Sequence, residues 1–208
     1  MLDRALTSVN SLVRRGRVWQ DSRSDSVWTG GDDARLLAVA SPPMATAFML
    51  ALWPGQRQGD LPRLAWDAYD GAYIRLKQSK TGVRVRVPVA TPLKAHLDSL
   101  PRKSSAVIRS EDDRPSASDG FRAIWRNTCE RANIKDLTFH DPRGTLISRL
   151  ARAGTSEIET ATLTGHAVSG VKSIIDKFYH NRDPALAASA IKKLEAAAKS
   201  TNELQTGT

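Results

Sequence analysis

The sequence predicts a mainly helical domain that carries a small antiparallel β-sheet, an α+β fold. Apolar residues recur every three to four positions along most of the chain, whereas two short segments in its middle alternate, and one turn joins these two segments. Of the 208 residues, 40% are hydrophobic and 25% are charged, which is typical of a chain that buries a core. We therefore expect a folded domain over residues 28–199.

The first 27 residues are predicted to form a helix and a polar linker, because apolar residues at helical spacing (Leu2, Leu6, Val9, Val13) precede an aperiodic polar run over 20–26. Residues 32–52 have a helical pattern that the prolines of Ser41-Pro42-Pro43 should divide in two. Residues 61–66 are predicted to add a further helical segment.

The alternating segments, Tyr73–Lys77 and 83–87, are predicted to pair as a β-hairpin with one apolar and one basic face, closed by a turn over 79–82. A short helix over 93–100 and a short third strand at Val107 and Ile108 should follow. Helices are then expected over 118–133, 139–153, 156–164, 168–179 and 184–199, and a tail over 200–208.

The charge balance points to a polyanionic partner. The net charge is +9 and the isoelectric point is near 10.0, which favours nucleic acid, although a merely basic soluble protein would also fit. The single cysteine, Cys129, excludes an internal disulfide and suits a reducing cytoplasm. We find neither a bilayer-length apolar stretch nor a signal-peptide core, so the expected location is cytoplasmic, without membrane contact.

Five short segments carry residues suited to chemistry: 55–61, the hairpin turn, 138–145, 163–166 and the pair 178–179. Each is weak alone, because an exposed arginine, a turn lysine, a helix-end histidine and a core tyrosine are ordinary features. Their common occurrence, in a fixed order and on a basic protein, is informative. The candidate site residues are Arg57, Lys80, His140, Arg143, His166 and Tyr179.

This order resembles the tyrosine recombinase (phage integrase) family over roughly residues 28–195, and a bacterial phage-type or mobile-element integrase in particular. The matching elements are Gly55-Gln-Arg-Gln-Gly-Asp-Leu61, a hairpin lysine, His-x-x-Arg, Gly-His and a late tyrosine. The resemblance implies a catalytic domain for site-specific DNA strand exchange through a 3′-phosphotyrosyl intermediate. It assigns catalytic roles to the six candidates and requires neither a cofactor nor a metal.

The chemistry of these residues agrees with the resemblance. Attack on a phosphodiester leaves negative charge on the non-bridging oxygens, which Arg57 and Arg143 could clamp and His166 could hydrogen-bond. The hydroxyl of Tyr179 can attack to form a covalent intermediate.

Proton transfers complete this expected chemistry. Lys80, on the hairpin turn, is a candidate donor to the leaving sugar hydroxyl, and His140 can assist proton transfer.

Three residues depart from the family pattern: Pro142 replaces a usual leucine, Asp60 a commoner glutamate and Gly144 a frequent histidine. Thr138 and Asp141 could form a capping box that starts a helix at Thr138; alternatively, Asp141 caps a helix that begins at Pro142. Either arrangement could alter the alignment of His140 with Arg143. We interpret Asp60 as a brace for the site and not as a catalyst.

The family usually carries a helical DNA-binding domain before the catalytic one, and the 27 residues here are too few to form it. Either a preceding segment has been cut away or the gene is a truncated remnant. A catalytically silent DNA-binding remnant and a type IB topoisomerase-like enzyme therefore remain alternatives. Expected partners are double-stranded DNA, further copies of the chain in a tetrameric synapse, and an accessory DNA-bending or directionality protein.

Overall fold

The structure is a computed structural model that describes residues 28–102, 104–108, 118–178 and 187–195. Over these ranges the named elements are, in chain order, α1 (Gly30–Val39), α2 (Pro42–Leu52), two 3₁₀ helices (Gln58–Arg63, Trp66–Ala68), β1 (Tyr73–Lys77), β2 (Arg84–Pro88), α3 (Thr91–Ser99), α4 (Ser118–Arg131), α5 (Asp141–Arg152), α6 (Glu157–Thr164) and α7 (Val168–Phe178). Residues 187–195 are also helical. The predicted mainly helical fold with a small antiparallel sheet is confirmed.

Local sequence signals set several of the helix boundaries. Thr29 caps α1 through a reciprocal pair of hydrogen bonds with Asp32, and Ser156 caps α6 with Glu159 in the same way. The predicted break at the two prolines is confirmed, because α1 ends at Val39 and α2 begins at Pro42. The helix predicted within residues 1–27 and the tail over 200–208 lie outside the described residues.

An aromatic cluster forms the centre of the main core. The ring of Trp28 lies 4.9 Å from that of Phe48 and 5.6 Å from that of Trp125, and Trp125 meets Phe139 edge to face. A smaller cluster of Ile147, Ala161 and Val171 joins α5, α6 and α7. Helix α5 also packs on α2, whose apolar residues belong to the main core, so α5 links the main core to the smaller cluster.

The hairpin has the predicted two faces. Ile74 and Val87 pair across the strands and are buried, whereas Arg75 and its partner Arg86 are exposed on the outer face. The prediction of a third strand at Val107 and Ile108 is wrong. In this segment Ala106 forms only an isolated bridge with Ala65, so the described sheet has two strands.

The helical segment predicted over 61–66 is found only in part: the first 3₁₀ helix ends at Arg63 and the second begins at Trp66, with Leu64 and Ala65 extended between them. No helix within the described ranges is long and apolar enough to cross a membrane.

Candidate active site

Arg57 lies at the end of the loop between α2 and the first 3₁₀ helix, directly before that helix begins. The preceding loop contains Gly55, whose φ of +67° favours glycine, and a Cβ there would come within 3.0 Å of Leu146 on α5. The loop can therefore lie directly against α5. The half-buried side chain of Arg57 donates from Nη1 to Oε1 of Gln78 at 2.6 Å.

Arg143 lies in the first turn of α5 and is only 2% exposed. Its Nη1 donates to the carbonyl of Gly55, and its Nη2 donates to the carbonyl of Thr164 at 2.8 Å. Burial, followed by the charge of Arg57, lowers the pKa of Arg143 to about 9. The guanidinium thus stays positive at neutral pH and ties three segments together.

His166 follows the end of α6, where Gly165 adopts the left-handed conformation. Its ring contacts Arg143 through Nε2, 3.3 Å from Nε, and its Nδ1 lies 2.8 Å from Oγ1 of Thr164. The Thr164 hydroxyl donates to the carbonyl of Thr160, and Nη2 of Arg143 lies 3.1 Å from both ring nitrogens of His166. The imidazole therefore lies directly against the guanidinium, and a ring nitrogen without a proton accepts from it.

Both histidines of the site favour the neutral form. Burial, then the charges of Arg143 and Arg57, lowers the pKa of His166 to about 4. The pKa of His140 is also lowered, by desolvation first and then chiefly by Arg143, although part of its surface is exposed. The charge of Lys80 also lowers the pKa of His140, so Lys80 lies close enough to His140 to act on it.

Lys80 itself is exposed on the hairpin turn. The turn closes through a hydrogen bond from the Gly82 amide to the carbonyl of Gln78 at 2.8 Å. Its neighbour Ser79 donates from its backbone amide, at 2.8 Å, and from its hydroxyl to Oδ1 of Asp60, which is 4% exposed. Asp60 therefore makes the contact expected of a brace, because it holds the residue next to Lys80 in the turn.

The start of α5 differs from both sequence-based alternatives. The helix begins at Asp141, whose Oδ2 accepts hydrogen bonds from the amide and hydroxyl of Thr138, so a helix start at Thr138 is wrong. Pro142 falls in the first turn, where an amide has no partner within the helix. Proline is therefore compatible with a regular α5, and His140 precedes its first residue.

Five of the six candidate residues converge on one place, although they come from four separate segments. The charges of Arg57, Arg143 and Lys80 all act on His140, and those of Arg57 and Arg143 act on His166. Helix α7 is described as far as Phe178, and Tyr179 lies outside the described residues.

Gln78 received no role from the sequence. It is completely buried among the site residues and contacts Arg57 directly. A signal was present, because Ile74 and the partly buried Leu76 set an inward-facing register that Gln78 continues with a polar side chain. A polar residue at an inward position needs hydrogen-bond partners, which here come from distant segments.

Comparison with known proteins agrees with this arrangement. The family model of the phage integrase family matches residues 33–183, most of the chain. The chain belongs to the phage integrase family. The chain is 26% identical to the shufflon-specific DNA recombinase of Escherichia coli over 204 residues, covering 95% of the chain and 50% of that protein.

Two further comparisons concern the integrase of Escherichia phage lambda. The chain is 41% identical to it over 104 residues, covering 46% of the chain and 24% of that protein. A solved structure, a lambda integrase dimer bound to a COC′ core site, has a TM-score of 0.63 at 22% identity and covers 76% of this chain and 49% of that one. The chain thus spans half the length of the E. coli protein, and its match with the phage protein covers about a quarter of that protein.

Proposed function

We propose that the chain cleaves and rejoins double-stranded DNA through a 3′-phosphotyrosyl intermediate, as a site-specific recombinase. The Tyr179 oxygen attacks phosphorus and gives up its proton to His140, while the bond from phosphorus to the 5′-oxygen breaks and Lys80 protonates the leaving oxygen. Rejoining is the reverse: a 5′-hydroxyl attacks the phosphotyrosine and releases Tyr179.

The main support is the convergence of three cations around two neutral histidines. Arg57, Arg143 and Lys80 provide positive charge, and the buried carboxylate of Asp60 is directed to the Ser79 amide and hydroxyl. A phosphodiester approaching an attacking tyrosine needs this balance, because charge grows on its non-bridging oxygens. The neutral state of His140 also suits an acceptor of the tyrosine proton.

The two arginines are placed to contribute differently. Arg143 is almost fully buried and already donates to two carbonyls, so it acts chiefly as a fixed charge beneath the phosphate. Arg57 is half-buried and uses Nη1 on Gln78, which leaves further N–H groups for the phosphate oxygens. The clamp predicted from the sequence is therefore asymmetric.

The outer face of the hairpin supports DNA as the substrate. Arg75 lies opposite Arg86, and Lys77 opposite Arg84, with all four side chains exposed. Like charges directly opposite each other destabilise a strand pair, and the single carboxylate of Asp70, 3.6 Å from Arg75 and 3.9 Å from Arg86, offsets only part of this repulsion. A phosphate backbone would relieve this repulsion, and the face adjoins the turn that carries Lys80.

The C-terminal helical segment, residues 187–195, supports self-assembly on DNA. Lys193 donates to the carbonyl of Gly154 at 3.2 Å, but Ile191 is 55% exposed and Leu194 is 67% exposed. Such side chains contribute little to this chain's own core, so we propose that they pack on a neighbouring copy in a synaptic tetramer. An accessory DNA-bending protein and a bacterial cytoplasmic location complete this proposal.

Trapping of a covalent adduct tests the function. The chain is incubated with a pool of nicked duplexes whose sequence is randomised around the nick, and protein-linked DNA is recovered after denaturation and sequenced. We expect the intact chain to form an adduct and Tyr179→Phe to form none while binding DNA as before, because only the nucleophilic oxygen is lost. An adduct with the phenylalanine variant would assign the nucleophile elsewhere, and no adduct with the intact chain would favour a silent DNA-binding remnant.

A further inference from the structure

Gln78 is a completely buried amide at the end of β1, where three parts of the candidate site meet. Its Oε1 accepts from Nη1 of Arg57 at 2.6 Å and from the hydroxyl of Thr81 at 3.1 Å. Its Nε2 donates to the carbonyl of Thr164 at 2.8 Å. The side chain thus bonds the loop of Arg57, the turn of Lys80 and the end of α6 at once.

The surroundings leave the amide no freedom to turn. Gly165 packs so closely that a Cβ at that position would lie 2.3 Å from Nε2 of Gln78. The carbonyl of Thr164 accepts from Nε2 and is shared with Arg143, which fixes the orientation of the amide. Oε1 consequently faces Arg57, and a hydrogen bond to a charged donor in a buried setting is short and strong.

We propose that Gln78 is a positioning residue that holds the guanidinium of Arg57 in the orientation that meets the scissile phosphate. This inference rests on the proposed function. Gln78 is too buried to reach DNA, so it acts through Arg57. An amide suits this task better than a carboxylate, because it orients Arg57 without neutralising the charge that the phosphate requires.

The first experiment is a double-mutant cycle on covalent adduct formation, using a nicked duplex recovered from the randomised pool. Gln78→Met keeps the size of the side chain and removes both hydrogen-bonding groups. We expect it to slow adduct formation about 10- to 50-fold in the intact chain but less than about twofold in an Arg57→Ala background, because residues that act as a unit are not additive. Equal losses in both backgrounds would overturn the proposal.

Gln56 provides the matched control. It is also a buried glutamine, 2% exposed and next to Arg57 in sequence, but its Nε2 donates to the carbonyl of Pro54 and its Oε1 has no partner within the described residues. Gln56→Met should change adduct formation less than about twofold. A loss equal to that of Gln78→Met would mean that any buried polar change at this place slows the reaction, and would contradict a specific role for Gln78.

A second measurement does not depend on activity. In the intact chain, we expect the Nη groups of Arg57 to give separate nitrogen NMR signals, because the bond to Gln78 restricts rotation of the guanidinium. Gln78→Met should merge these signals and Gln56→Met should not; separate signals in Gln78→Met would overturn the proposal. If the intact chain forms no adduct, the proposed function fails, whereas this measurement still decides whether Gln78 orients Arg57.

A third variant covers the case in which Gln78→Met fails to fold. Gln78→Glu keeps the size of the side chain and the acceptor for Arg57 and gives up the hydrogen bond from Nε2 to the carbonyl of Thr164, so the separate Arg57 signals should remain. Adduct formation should nevertheless fall, because the new carboxylate offsets the charge of Arg57. Merged signals in this variant, or unchanged adduct formation, would contradict the proposal.

Discussion

Arg143, at the start of α5, and Lys80, on the hairpin turn, both bring positive charge to the candidate site, but the first is buried and the second is exposed. Arg143 is 2% exposed and bonded to Gly55, Thr164 and His166, so the folded chain itself fixes its position. Lys80 is exposed, and hydrogen bonds of its neighbours to Asp60 and Gln78 hold the turn that carries it. We therefore expect a change at Arg143 to affect both stability and catalysis, and a change at Lys80 to affect catalysis without affecting stability.

Arg143→Ala should have the largest effect, because it should reduce both the rate of cleavage and the stability of the fold. Cleavage should fall about 100- to 1000-fold through loss of the charge beneath the phosphate. The carbonyl of Gly55 loses its donor from Arg143, which should destabilise the fold by about 1 to 3 kcal/mol. Calorimetry and adduct kinetics measure the two effects. Arg126→Ala, at an exposed position on α4, is a control that should change neither. Unchanged stability of Arg143→Ala would contradict the coupling of stability and catalysis at Arg143.

Arg57→Ala should separate the two properties. Cleavage should again fall about 100- to 1000-fold at saturating DNA, since a charged donor to the phosphate is lost. Stability should change by less than about 1 kcal/mol, because the side chain is half-buried and Gln78 keeps Thr81 as a partner. A loss of cleavage below about fivefold would remove Arg57 from the clamp.

Lys80→Ala should affect chemistry alone, and by about 100-fold on an ordinary duplex, near the lower end for general acids because water can reach the exposed turn. A substrate with a 5′-bridging sulfur should be cleaved at nearly the normal rate, because a thiolate leaves without a proton. The ratio of the two rates measures the role of Lys80. Equal losses on both substrates would indicate that Lys80 binds phosphate and does not protonate the leaving group.

The smallest effect concerns pH and His166. Its pKa of about 4 in the folded chain lies below the ordinary 6.5, so the unfolded chain binds more protons between these values. Its contribution to stability is complete above about pH 6.5 and should be lost as the pH falls towards 4, by on the order of 1 kcal/mol after solvent screening. Unfolding of His166→Asn across this range should show a weaker pH dependence, and an unchanged dependence would assign the effect to other groups.

Periodicity was enough to predict the hairpin and the succession of helices from α4 to α7, and two prolines were enough to predict the break before α2, because these features depend on neighbouring residues. The third strand was wrong, because a two-residue apolar pair carries too little pattern to predict pairing. The helical segment over 61–66 was confirmed only in part, as 3₁₀ turns interrupted by the extended residues Leu64 and Ala65. The roles of the six candidate residues, Tyr179 above all, stay predictions.

The sequence by itself determined the order and chemical types of the candidate site residues, because both are read directly from the chain. Tertiary structure decided the burial of Arg143, the contact of His166 with Arg143 and the contact between Gln78 and Arg57. Arg143 meets Gly55 across 88 positions and Gln78 meets Thr164 across 86. Such contacts depend on how α5, α6 and the hairpin pack, and a hydrogen bond between distant segments leaves no periodic trace in the sequence.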